Sequence, residues 1–214
     1  MGLNSYIAKQ FSRPAGFGGK VISFIMNRQN RPLYNETLQL LPVTDNDSVL
    51  DIGCGNGYVL NMLARQYKCK LTGIDISAGI IKDASKRNRR FVDSGQMKFL
   101  CQDISKMPFA DSSFDVAYTI NTVYFWENLA ETMAAIRRLL KLDGLFVNAL
   151  YTNETLSRFS HTQIGYKRFS QEQLTDVGEN AGFSVNVVPI LNGAAYCVLY
   201  RNKNLENNRT EMSG

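Results

Sequence analysis

The stretch from Val49 to Leu60, VLDIGCGNGYVL, carries the most chemically suggestive spacing in the sequence. An apolar run ends at Asp51, and Gly53, Gly55 and Gly57 follow at alternate positions before a helical stripe begins. Glycines placed this way permit positive φ and let a ligand rest against bare main chain at the carboxyl end of a strand, where open α/β sheets bind ligands. A dinucleotide fingerprint needs a third glycine three positions beyond the second. Read from Gly53 that position is Tyr58, and read from Gly55 it is Leu60, so the dinucleotide reading fails there. No Gly-Lys-Ser/Thr follows, which excludes a P-loop. Asp51, directly ahead of the loop, would repel a phosphate and suits a ligand carrying an ammonium group.

Two more carboxylates occupy matching places. Asp75 closes the run LTGID, where a carboxylate can accept from both hydroxyls of a ribose. Asp103 closes FLCQD and is placed to accept from an exocyclic adenine amine. Ile76 and Ile104, each following its aspartate, can enclose a purine between them.

Positioning these groups requires a particular order of elements. SVLDIG reads as a buried strand, and Val59, Leu60, Leu63, Ala64 and Tyr67 form a helical stripe after it. KLTGID is a second strand, followed by a charged helix from about Ala78 to Phe91. MKFLCQD and FDVAYTI are the third and fourth strands. Leu129, Met133, Ile136 and Leu140 mark another helix, and GLFVNALY is the fifth strand. Such alternation implies a parallel sheet with both faces covered. Ser170 and Gln173 have capping-box spacing for a helix that runs to about Ala181 and stops at Gly182. Two strand-like runs then flank Asn192-Gly193, a strong hairpin signal. The expected fold is α/β: a Rossmann-like, seven-stranded, mostly parallel sheet ending in a C-terminal antiparallel hairpin, with N-terminal cap helices ahead of it. Pro32 suits a helix start, and Leu33, Tyr34, Thr37, Leu38 and Leu41 share one face.

With the loop, the two acidic strand ends and the terminal hairpin in order, the sequence resembles the class I S-adenosylmethionine-dependent methyltransferases. Asp51-Ile-Gly53-Cys54-Gly55-Asn-Gly57 matches the family's acidic-x-Gly-x-Gly-x-Gly signature, which implies contact with the methionine portion of the cofactor. The resemblance implies that Asp75 binds ribose and that Asp103-Ile104 contacts adenine. MPFADSSFDVAYTIN is similar to the stretch leading into the family's fourth strand, and FSQEQLTDVGENAGF to the helix before its sixth. The likeness spans residues 45–200. The basic leading helices are similar to those of small-molecule methyltransferases related to quinone-biosynthesis C-methyltransferases. The implied cofactor is S-adenosyl-L-methionine, and the implied reaction is methyl transfer to a small-molecule acceptor. Two alternatives stay open: a nucleic-acid methyltransferase, and a cofactor-binding protein without catalysis.

After the fourth strand comes Asn121-Thr-Val-Tyr124-Phe-Trp126. Its Asn-x-x-Tyr spacing resembles the Asn/Asp-Pro-Pro-Tyr motif of enzymes that methylate exocyclic amines, but both prolines are missing. The expectation is an active-site edge, with Asn121 near the methionine portion and Tyr124 or Trp126 toward the acceptor; the alternative is aromatic packing under the next helix. His161, the only histidine, falls in a segment, 152–168, that could form a substrate lid together with Tyr166, and it is a candidate base beside Tyr124. Asn30 and Tyr34 are expected nearest the ligand from the cap side. The expected division is a helical cap over 1–42, a core over 43–202 and a flexible tail over 203–214.

The remaining composition narrows the class. In 214 residues, 44% hydrophobic and 20% charged composition is that of a globular chain. No apolar run reaches the roughly 18–20 residues that span a bilayer, and Val21–Met26 is too short for a signal-peptide core. Cys54, Cys69, Cys101 and Cys197 lack metal-ligand spacing, so free thiols, no metal and a cytoplasmic setting are expected. The net charge of +5 is concentrated early: Lys9, Arg13, Lys20, Arg28 and Arg31 all precede the first acidic residue, Glu36. That arm could touch nucleic acid, an anionic surface or an acidic substrate, or be a solvated helix face. A nucleic-acid partner is not expected, and the oligomeric state is not legible.

Overall fold

The structure, a computed structural model, describes residues 26–203 apart from Met107 and the side chains of Ser105 and His161. After helical residues 26–29 the elements are α1 (Arg31–Leu40), β1 (Ser48–Ile52), α2 (Tyr58–Gln66), β2 (Lys70–Asp75), α3 (Ala78–Arg87), α4 (Arg89–Asp93) and β3 (Met97–Cys101). Then follow β4 (Phe114–Ile120), α5 (Leu129–Leu139), β5 (Leu140–Tyr151), α6 (Asn153–Ser157), α7 (Gln171–Asn180), β6 (Ser184–Ile190) and β7 (Ala195–Arg201). The basic residues Lys9, Arg13 and Lys20 and the tail from residue 204 lie outside the described residues.

All seven strands form one sheet in the order β3-β2-β1-β4-β5-β7-β6. The first five pair in parallel, and β7 runs antiparallel to both β5 and β6. Successive strands step outward from β1 in one direction through β2 and β3, then in the other through β4 and β5. The crevice at the carboxyl ends of β1 and β4 is therefore a topological switch point, where the helices that follow the two strands diverge and leave room for a ligand.

Strand alternation divides the core between the two faces of the sheet. Leu50, Phe146 and Tyr200 pack on one face with Met133 and Ile136 of α5 and Leu174 of α7. Val49, Tyr118 and Val147 pack on the other with Leu60 and Leu63 of α2 and Leu33 of α1. Helix α7 starts with the expected capping box, in which Ser170 and Gln173 each bond to the other's backbone N–H. Its Gly178 lies so close to the Tyr200 ring that any side chain there would overlap it. The terminal hairpin forms as expected, although its connection is longer than a two-residue turn: Leu191, Asn192 and Gly193 all adopt positive φ before β7 begins.

Two element boundaries differ from the sequence reading. The helix expected over Ala78–Phe91 is broken at Asn88, which leaves helical geometry while its side-chain Nδ2 donates to the Ala84 and Gly57 carbonyls. Leu140, expected as the last apolar position of a helix, is instead the first residue of β5 and pairs with Phe114. It is buried in either role, which is why periodicity did not separate them.

Candidate functional site

The loop between β1 and α2 is held from three sides. Gly53 and Cys54 both donate their N–H to the Ile74 carbonyl of β2, and Gly57 donates to Cys54. The three glycines meet different surroundings. A Cβ on Gly53 would overlap the Thr122 side chain. One on Gly57, at φ 69°, would lie 2.5 Å from Asn88 Nδ2 and 2.7 Å from Phe99 Cζ. One on Gly55, at φ 52°, would meet nothing within 4 Å. Gly53 and Gly57 thus serve close packing, while Gly55 presents bare backbone to open space. Asn88 completes the clamp: it is buried, accepts from Asn61 Nδ2 at 2.8 Å and donates to the Gly57 carbonyl at 3.2 Å.

The open side of Gly55 faces a cavity of about 320 Å³, within the range of small-molecule sites. Asp51, Asp75 and Asp103 line it from three adjacent strand ends, together with Gly53, Cys54, Gly55, Ile76, Ile104 and Asn121. Gly57 is buried behind them and is not part of the lining. Asp75 is prepared by the backbone: Oδ2 accepts from the Gly55 N–H at 3.2 Å and Oδ1 from the Ser77 N–H at 2.9 Å. Asp103 is exposed, as is Ile76, whereas Ile104 is buried among the core residues. Ile76 is 48% exposed and lines the cavity.

Asp51 is only 4% exposed, and its Oδ2 accepts the Tyr118 hydroxyl at 2.9 Å. Burial raises its pKa to about 8, with Tyr118 opposing the shift and the Asp75 charge adding to it. A carboxylate so placed gains most from a bound cation.

A sequence pattern described as a methyltransferase domain matches residues 50–148, from β1 to β5. That match supports the resemblance to the class I S-adenosylmethionine-dependent methyltransferases. It is 37% identical over 120 residues to the sterol 4-C-methyltransferase strm-1 of Caenorhabditis elegans, a stretch covering 55% of this chain and 35% of that protein. With the malonyl-[acyl-carrier protein] O-methyltransferase of Methylovorus it shares 25% identity over 197 residues, 86% of this chain and 65% of the relative. The chain thus spans about a third to two thirds of the length of these two relatives. Geranyl diphosphate C-methyltransferase from Streptomyces coelicolor shares the fold, with a TM-score of 0.69 at 14% identity, over 82% of this chain and 79% of that one.

The opposite wall of the cavity comes from the cap and from the loop after β4. Met26, Asn27, Asn30 and Tyr34 line it from the cap, and Phe125 and Trp126 from the loop. Asn30 does not cap α1 with its side chain. Its Oδ1 accepts instead from the Tyr151 hydroxyl at 3.1 Å and from Asn121 Nδ2 at 3.4 Å. Asn121 has φ 58°, and its Oδ1 accepts from Tyr124 at 3.2 Å. A second tie joins Asn27 to Asn56 of the glycine loop at 3.2 Å.

The other sequence candidates lie elsewhere. Tyr124 is 1% exposed and outside the lining; its hydroxyl donates to Asn121 and accepts the Tyr151 N–H at 3.1 Å. Burial raises its pKa far above that of a free phenol. Tyr166 packs on the Tyr124 and Phe125 rings, at 5.3 and 4.8 Å between centroids, and does not line the cavity. Among the described residues none of 152–168 lines the cavity. That segment braces the 121–127 loop, with Lys167 Nζ donating to the Trp126 and Glu127 carbonyls. His161 sits in the turn Ser160–Gln163, and its side chain lies outside the described residues. Sequence reasoning missed Tyr118, Asn88, Asn27, Phe125 and Tyr151 as site-building residues. Tyr118 reads as one more apolar position of β4, and nothing in the sequence marks Asn88 as reaching the glycine loop.

Proposed function

We propose that this chain is an S-adenosylmethionine-dependent methyltransferase acting on a small, uncharged acceptor. The observation that carries the reading is the charge of the cavity. Asp75, Asp103, Glu127 and Glu131 line it beside the buried Asp51, and among the described residues no lysine or arginine does. Such a lining attracts a cationic cofactor and repels an acceptor bearing phosphate or carboxylate groups. The same repulsion disfavours a nucleic-acid acceptor.

S-adenosylmethionine supplies an electrophilic methyl group on a sulfonium, so the hard chemistry belongs to the cofactor. The chain's task is to hold and to align. In this reading Asp51 accepts from the ammonium, Asp75 from the ribose hydroxyls and Asp103 from the adenine amine, with Ile76 and Ile104 about the purine. The backbone at Gly55 supports the methionine portion. Asn30, Tyr34, Phe125 and Trp126 border the acceptor and exclude water from it. Tyr124 and Tyr166 act from behind that wall, with Tyr124 fixing Asn121. Alignment of the acceptor with the methyl carbon is a proximity effect potentially worth several orders of magnitude in rate. The absence of C-x-x-C spacing among Cys54, Cys69, Cys101 and Cys197 supports a reducing compartment, and we read the chain as cytoplasmic.

The test is transfer of labelled methyl groups to matched acceptors, phenolic or sterol-like, with and without an added phosphate or carboxylate. Transfer to the uncharged members is expected. Transfer confined to anionic acceptors would overturn the acceptor class, and tight cofactor binding without turnover on any acceptor would indicate a binding protein.

A further inference from the structure

We infer that Tyr118 is a positioning residue for the cofactor's ammonium group: its hydroxyl holds Asp51, which is neutral in the free protein and releases its proton to solvent as the cation arrives. The inference rests on the assignment of Asp51 to that ammonium.

Three observations carry it. Asp51 and Tyr118 are direct neighbours in the parallel register of β1 and β4, and both side chains lie on the face packed under α1 and α2. Tyr118 is fully buried, with its hydroxyl 2.9 Å from the carboxylate, so the contact is closed to water. The titratable groups that act on Asp51 from each packed element are Tyr34 of α1, Cys54 of the loop, Asp75 of β2 and Tyr118 of β4. Each is neutral or negative, and none can balance a buried carboxylate. Burial pushes the Asp51 pKa up to about 8, in agreement with this geometry. At neutral pH the free protein keeps the proton on Asp51. When the ammonium group docks, the O–H bond of the carboxyl breaks, the proton passes to buffer, and the carboxylate is left with the ligand cation and the Tyr118 hydroxyl as partners. Tyr118 thereby makes a bond that strengthens when the ligand binds.

The probe is S-adenosylhomocysteine, which carries the same amino-acid group and cannot react. Calorimetry in buffers of different ionisation enthalpy counts the protons released per ligand bound. The wild-type protein should release close to one proton near pH 7, with the Asp51 contribution falling to about half near pH 8. In Tyr118→Phe the ring is retained and the donor lost, so release should persist to higher pH. Its affinity near pH 7 should be about 10- to 100-fold weaker, and the gap should narrow as pH rises. The ligand's own amine contributes equally to both proteins, so their difference reads Asp51. Asp51→Asn should show no such release. Tight binding by the wild type with no proton released near pH 7, or an unchanged pH profile in Tyr118→Phe, would overturn the inference. An Asp51→Asn protein that binds as tightly as the wild type would instead overturn the assignment of Asp51 to the ammonium.

Discussion

The two halves of the sheet solve different problems. The half built from β1, β2 and β3 is parallel, and its cavity-facing groups are backbone atoms and carboxylates at strand ends. The half built from β4, β5, β7 and β6 mixes parallel and antiparallel pairing and is packed with aromatic rings, among them Trp126, Phe146 and Tyr200 stacked in series. In our reading one half grips a fixed ligand, while the other shapes and braces a wall. A constant ligand demands particular backbone at particular places, whereas a wall can be built from many packings. The halves meet at Asp51 and Tyr118, one side chain from each.

The largest expected effect tests the gripping half. In the free protein Asp51 holds a proton that the unfolded chain has lost, because its pKa rises from 3.8 to about 8 on folding. The contribution of this group to stability therefore falls as pH climbs from about 4 to about 8. Asp51→Asn should melt higher than the wild type near pH 8, with a smaller difference near pH 5, while losing two or more orders of magnitude in affinity for S-adenosylhomocysteine. Thermal melts and calorimetry across that range check both signs. A variant that loses stability at pH 8 would contradict the burial argument.

Next come the glycines, which should separate packing from ligand approach. Gly57→Ala forces a methyl group into Asn88 and Phe99 and should cost about 1–3 kcal/mol of stability in chemical denaturation. Gly55→Val adds backbone strain of roughly 1–2 kcal/mol while its Cβ meets nothing within 4 Å, and should abolish cofactor binding in a protein that still folds cooperatively. Undiminished cofactor binding by a folded Gly55→Val protein would mean that Gly55 is only a turn residue.

A smaller effect is expected at Asp75. Replacing it with Ala removes two ribose contacts in our reading, a net loss of about 1–3 kcal/mol once water compensates, and equilibrium titration with the cofactor product measures it. Unchanged affinity would place the ribose elsewhere.

The smallest effect belongs to the wall. Tyr151→Phe deletes the hydroxyl that reaches Asn30, a contact worth about 0.5–1.5 kcal/mol. Hydrogen exchange over residues 26–34 should quicken, with little change in the global melting temperature. Unchanged exchange there would show that the cap is held by its other contacts.

Much of the gripping half was legible in advance. The glycine spacing, the acids at positions 75 and 103 and the terminal hairpin all follow from local rules of backbone and periodicity. Less could be read at Tyr124, Tyr166 and the 152–168 segment. Their residue types suited an active site, yet the rings pack behind the loop and Lys167 braces it through main-chain carbonyls. A tyrosine in an apolar stretch has the same sequence signature whether it faces a ligand or supports a neighbour. Asn30, expected nearest the ligand, lines the cavity, and its side chain turns toward Tyr151 and Asn121 rather than capping α1.

What the sequence by itself determined is the set of demands that neighbouring residues impose on one another. Glycine is required where the chain turns tightly against its own strand, and the alternation of apolar runs with helical stripes dictates a parallel sheet. The acid that ends each of the first three strand runs is equally local. Tertiary structure alone decided which of those acids is buried and what it touches. Asp51 and Tyr118 stand 67 residues apart and meet only because β1 and β4 are neighbours in one particular register. Hydrogen-bond partners and desolvation depend on that register and on what closes over it, and neither is encoded by the residues on either side.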